Sequence, residues 1–143
     1  MSEAIEIVKR YAATATESMP DDGNGTSAEK RLEKLLDMLD PQVRITVAAS
    51  LPYGGEYVGH PGFLALGEQF GKTWQVLDNG AAGYADIGDG RVVGFYNPKF
   101  KSVATGRTVS FGVVEILTVK EGRIAELTPY YSDTAALVAA VTP

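Results

Sequence analysis

Residues 108–119 read TVSFGVVEILTV, a run in which Glu115 is the single charged residue. Its β-branched and aromatic side chains suit a pleated, half-buried surface. Successive side chains of a strand face opposite ways, so Val109, Phe111, Val113 and Leu117 share a face with Glu115, and Val114 and Ile116 take the other. A sheet with one wet face would alternate more cleanly. Both faces of this strand are therefore expected to be covered, one by helices and the other by something else.

The helices come from upstream. Between Glu3 and about Ser18, Ala4, Val8, Tyr11, Ala12 and Ala15 recur at three- and four-residue spacing, the stripe of an amphipathic helix, with Ser2 as its cap. Residues 19–26, MPDDGNGT, break it. Their acids lack the alternating ligands and closing glutamate of a calcium loop, so the segment reads as a connection. Ser27 opens a second helix to about Met38, with Leu32, Leu35, Leu36 and Leu39 on its apolar side. Asp40-Pro41 ends it, because proline disfavours helix in the residue before it.

Val43 to Ala49 alternates as a first strand. Residues 50–63, SLPYGGEYVGHPGF, then turn the chain toward a short third helix, with Pro61 at its first position and Phe63, Leu64, Leu66 and Phe70 along it. Runs at about 74–86, 91–100, 108–119 and 124–131 follow, separated by the turn sequences IGDGR, KSVATGR and KEGR. This order predicts an α+β plan: a largely antiparallel sheet with helices on one face. Three helices cover only that face, so the other is expected to meet a second copy in a homodimer.

The chain has 143 residues, 45% hydrophobic and 22% charged, which suits one globular domain spanning 1–143. It has no cysteine, hence no disulfide, thiolate nucleophile or cysteine-ligated metal, as expected of a cytoplasmic protein. No apolar run approaches the ~18 residues of a membrane span. Thirteen basic residues are scattered through a chain of net charge −5, without the positive stripe that nucleic acid requires. One histidine and dispersed acids make no metal site, and the GNG and GDG sequences are turns rather than phosphate or dinucleotide loops. The expectation is a small hydrophobic ligand, handled without metal or cofactor.

Three motifs in order, IVKRYAA (7–13), LPYGGEYVGHPGF (51–63) and VVEILTVKEGRIAELTPYYSDTAAL (113–137), resemble the nuclear-transport-factor-2-like superfamily over nearly the whole chain. The likeness is to its SnoaL-like (polyketide cyclase-like) and ketosteroid isomerase-like branches. It implies a cystatin-like α+β cone, with a curved, mostly antiparallel sheet wrapped around three helices and an apolar cavity at one end. It also implies a dimer through the convex sheet face. In ketosteroid isomerases a first-helix tyrosine and a protonated strand acid stabilise an enolate; Tyr11 resembles the first and Glu115, in place of aspartate, the second. That family's first-strand base has no counterpart in VRITVAAS, where Val47 stands at the matching position. Steroid isomerisation itself is therefore not expected. Nor does the chain show the acid–arginine–acid relay of limonene epoxide hydrolases.

Glu115 and Tyr11 are accordingly the candidate catalytic pair. A carboxyl among apolar neighbours is kept neutral by desolvation and can donate to a developing oxyanion. The alternative for Glu115 is a structural ion pair with Arg44 or Arg107; for Tyr11 it is a core phenol bonded to a backbone carbonyl. His60 is the third catalytic candidate, because imidazole titrates near neutrality, although a turn residue before Pro61 is an equally ordinary role. Glu56 is either a solvated acid or a base folded inward. Val47, Tyr53, Tyr57, Phe63, Trp74, Phe111, Val113 and Tyr131 are the expected substrate-binding residues, aromatic core being the alternative reading. Asp133 is expected to cap a short C-terminal turn.

Overall fold

In the computed structural model, which describes residues 3–16 and 26–143, two sheets carry the fold. Strands β1 (Leu39–Val47), β2 (Gly55–Val58), β4 (Gly83–Gly88), β5 (Arg91–Tyr96), β8 (Val113–Lys120) and β9 (Arg123–Tyr131) form the larger, in the order β2-β1-β9-β8-β5-β4. Strands β3 (Trp74–Asp78), β6 (Lys99–Ser102) and β7 (Thr108–Ser110) form the smaller, in the order β3-β6-β7. Helices α1 (Glu3–Thr16), α2 (Thr26–Asp37), α3 (Gly59–Thr73) and α4 (Thr134–Val141) complete the chain. Among the described pairings only β1 with β9 is parallel. The α+β architecture with a curved, mostly antiparallel sheet is thus as expected.

Among the described residues the helices number four, not three. The expected C-terminal turn is an eight-residue helix, begun by Asp133, whose carboxylate accepts from the Ala136 amide at 3.0 Å. The expected Ser2 cap and the connection at 19–25 lie outside the described residues. Helix α2 ends at Asp37, one residue before the expected Met38, and Leu39 opens β1 as a fully buried side chain. Helix α3 is longer than expected at 15 residues. It opens at Gly59, so Pro61 stands third rather than first, still in the first turn, where a missing N–H is harmless.

Three expected strands are each divided in two. The chain crosses between the sheets at residues 79–82, 97–98 and 111–112, so β3 leads to β4, β5 to β6 and β7 to β8. TVSFGVVEILTV is therefore two strands of two sheets. Asn97 marks the crossing: a Cβ on Gly80, whose φ is +72°, would stand 2.5 Å from the Asn97 carbonyl oxygen, and the Phe111 amide donates to the Pro98 carbonyl at 3.3 Å. Proline offers no ladder donor and glycine no side chain to pack, so both collect where strands bend or stop.

The buried face of the larger sheet carries Val43, Ile45 and Val47 from β1, Val92 from β5, Val113 and Leu117 from β8, and Ile124 and Leu127 from β9. Helix α1 packs Ala4, Ile5, Ile7 and Val8 into the same core. Each fully buried aliphatic side chain contributes about 1.5–3 kcal/mol, which is what holds α1 across the sheet. Among the described residues no helix is long and apolar enough to cross a membrane.

Candidate functional site

Helix α1 does not lie flush along its whole length. Beyond Val8 its sheet-facing stripe turns small, with Ala12 and Ala15, and a cavity of about 470 Å³ opens between it and strands β4, β5 and β8. Val8, Leu117 and Leu127 supply apolar wall, Lys9 and Asn79 border it, and Tyr11, Tyr84, Tyr96 and Glu115 face it with polar groups.

Strand register brings these groups together. Tyr84 of β4 lies opposite Gly94 of β5, and Gly94 opposite Glu115 of β8, so the three form one row across the inner face. Gly94 keeps the centre of that row open: a Cβ there would come within 3.2 Å of the Tyr84 ring. From the next inward position on β5, the Tyr96 hydroxyl donates to Glu115 Oε1 at 2.6 Å.

Desolvation by the surrounding protein raises the Glu115 carboxyl above the ordinary carboxylate range, with the Tyr96 hydrogen bond pulling the other way. A buried charge without a counter-ion is expensive, and taking up a proton relieves the cost. Burial likewise raises the phenols of Tyr11 and Tyr84, and the nearby Glu115 adds to the effect. Tyr96 is raised for the same two reasons, in the same order. The cavity therefore presents neutral hydroxyl donors around a carboxyl that holds its proton more firmly than one in water.

Neither arginine considered as an ion-pair partner reaches Glu115. Arg44 binds Glu56 on the exposed face, with Nε at 2.9 Å and Nη2 at 2.6 Å from one carboxylate oxygen. Glu56 is thus engaged on the outer surface rather than folded inward. Arg107 Nη1 donates to the carbonyls of Ala139 at 2.9 Å and Thr142 at 2.6 Å, tying the end of α4 to the loop after β6.

Of the candidate catalytic residues, Tyr11 and Glu115 meet at the cavity. His60 is elsewhere: its Nε2 lies 3.0 Å from the Leu39 carbonyl oxygen, pinning the start of α3 to β1. The eight expected substrate-binding residues are also elsewhere, none being among the described residues that border the Glu115 cavity. Val47, Tyr53, Trp74, Phe111 and Val113 are buried in the core, and Tyr57, Phe63 and Tyr131 pack against it. Rings in contact run from Tyr53 to Phe70 (6.0 Å), Phe70 to Phe100 (5.4 Å), Phe100 to Phe111 (4.9 Å) and Phe111 to Tyr131 (5.8 Å). Polar atoms pair within this region: Trp74 Nε1 donates to the Tyr53 hydroxyl at 2.8 Å, and the Tyr57 hydroxyl donates to the Tyr53 carbonyl at 2.7 Å. The glycine-rich stretch 50–63 thus delivers its tyrosines to the packed interior.

Tyr96, Tyr84 and Gly94 are the site residues that sequence reasoning missed. Alternation in RVVGFY puts Val92, Gly94 and Tyr96 on one face, but nothing local shows that this face meets Glu115. Among the described residues no three His, Cys, Asp or Glu side chains gather in a metal-binding group.

No protein-family model matches the sequence, and no curated protein matches it. Solved structures do. An NTF2-like protein from Burkholderia xenovorans is similar over 98% of this chain and 96% of its own, at 20% identity and a TM-score of 0.79. A protein assigned as a SnoaL-like polyketide cyclase from Mesorhizobium loti matches 92% of this chain and 100% of its own, at 19% identity and a TM-score of 0.67. A protein assigned as an isomerase from Bacillus subtilis matches 94% and 91% respectively, at 13% identity and a TM-score of 0.66. The chain has the NTF2-like fold, a cone of curved sheet and helices.

Proposed function

We propose that this protein is a cofactor-independent isomerase, cyclase or lyase of the cytoplasm, moving a proton on a small hydrophobic metabolite held in the cone. The observation that carries the reading is the Glu115 carboxyl, without an arginine partner, in a cavity walled by apolar side chains and ringed by phenols. A neutral acid and a phenol aimed at one place stabilise the oxygen of an enolate as negative charge develops there, where water would do so less well. Cyclase and isomerase assignments among proteins of the same fold support the class of reaction.

The test begins with the ligand that co-purifies with the protein, identified by mass spectrometry, followed by turnover of that compound and its relatives. Loss of one such donor lowers kcat by about 10²–10³-fold. Glu115→Gln and Tyr11→Phe are each expected to show a loss of that order; unchanged turnover in both rejects the assignment.

One observation favours a second reading, a non-catalytic module that binds the same class of ligand. Glu115 is the one carboxylate among the described residues bordering the cavity, and no imidazole borders it, so a general base is not evident beside the acid. Tight binding with no product over long incubation supports this reading, and product formation ends it.

We also propose a homodimer through the convex face. Phe95, Val114 and Tyr130 form one row across β5, β8 and β9 and are 51%, 43% and 56% exposed, an apolar band of the kind that marks an interface. Val114→Asp is expected to convert a dimer to a monomer in analytical ultracentrifugation. A wild-type monomer refutes the dimer.

A further inference from the structure

A protonated carboxyl has two unlike oxygens, one that only accepts and one that carries the hydrogen. Which is which decides the direction in which the acid can donate. Glu115 is flanked by groups from four elements: Lys9 and Tyr11 of α1, Tyr84 of β4 and Tyr96 of β5 border the cavity with it, and Tyr131 of β9 is close enough to feel its charge. Of these, Tyr96 makes the defined contact, 2.6 Å from its hydroxyl to Oε1, at the short end for O–H···O bonds. The reach is built into the sheet. Tyr96 lies opposite Val113, two residues from the Gly94 that faces Glu115, a diagonal that an aromatic side chain can span. Gly94 places no side chain in the way.

We propose that Tyr96 is the positioning residue for Glu115: by donating to Oε1 it makes that oxygen the acceptor and leaves Oε2 to carry the proton toward a cavity ligand. The carbonyl-type oxygen of a carboxyl is the stronger acceptor, so a donor held at Oε1 favours the hydrogen on Oε2. This rests on the reading of Glu115 as the acid of the cavity, and it adds a residue and a direction to that reading.

Isotope-edited infrared spectroscopy of protein labelled with ¹³C-carboxyl glutamate tests it without a substrate. The Glu115→Gln spectrum assigns the band. Wild-type protein is expected to show a protonated Glu115 near neutral pH. In Tyr96→Phe the carbonyl band moves to higher frequency and its titration midpoint rises by about one pH unit or more, the consequence of losing one hydrogen bond to a charged group. Incorporation of 3,5-difluorotyrosine at position 96 strengthens the donor, so band and midpoint move the opposite way; this arm also serves if the phenylalanine variant does not fold. A protonated wild-type Glu115 whose band and midpoint ignore both changes overturns the role of Tyr96 alone. A midpoint that falls in Tyr96→Phe means that Glu115 donates to Tyr96, and overturns it too. An ionised wild-type Glu115 overturns both this inference and the acid on which it rests.

Discussion

The cone has two interior regions, one between α1 and the larger sheet and one gathered around the smaller sheet and α3, and they treat space in opposite ways. Around Tyr53, Phe70, Trp74, Phe100, Phe111 and Tyr131, rings fill the volume, edge to face in four contacts and tilted between Trp74 and Phe100, and the indole N–H ends on a phenol. Around Glu115, Ala12, Ala15 and Gly94 leave about 470 Å³ open, and the polar groups face that space. Both regions are rich in tyrosine. Small neighbours, rather than the phenols, make one of them a cavity.

The largest effect that sharpens this contrast is expected from Phe100→Ala. Phe100 touches Phe70, Trp74 and Phe111, so truncation leaves a void and costs about 3–5 kcal/mol, read as a lower urea midpoint. A cost below about 1 kcal/mol would show that the aromatic region is not close-packed. Tyr53→Phe comes next. It removes the acceptor of the buried Trp74 N–H, for a loss of about 1–3 kcal/mol.

Glu115→Gln should act in the opposite direction. The folded chain holds a proton on Glu115 at pH values where the unfolded chain has released it, so wild-type stability falls as pH rises from the ordinary carboxyl range toward the raised value. The fall is at most about 1.4 kcal/mol per pH unit from this group. Glutamine has no proton to release and still accepts from Tyr96, so the variant is expected to gain on wild type across that window. Parallel wild-type and variant profiles of urea midpoint against pH would mean that Glu115 is not perturbed. The smallest effect is expected from Gly94→Ala: the new methyl presses on the Tyr84 ring, changing stability by less than about 1 kcal/mol. The Tyr84 ring resonances should shift in NMR while those of Trp74 stay in place, and a shift of both would show that the two regions are coupled.

The helical stripe of α1, the two-faced apolar character of TVSFGVVEILTV and the isolation of Glu115 were all readable, since each depends on a short repeat and one out-of-pattern residue. The subdivision of strands was readable in part: Asn79-Gly80, Asn97-Pro98 and Gly112 stand inside runs of β-forming residues, but a glycine or proline there marks a bulge, an edge or a bend equally well. The aromatic residues expected around the ligand stand away from the Glu115 cavity for a related reason. Ring content reports burial, and burial is common to core and pocket.

What the sequence by itself determined was the class of fold and one half of the candidate site, Tyr11 and Glu115, because helix and strand periodicities and a lone acid in an apolar run are local properties. The tertiary structure alone decided that Gly94 and Tyr96 complete the surroundings of Glu115, that Glu56 turns outward to Arg44, and that His60 braces a helix. Those outcomes depend on register between strands distant in the chain and on where the sheet bends, and no local pattern encodes which residue of one strand will stand opposite which residue of another.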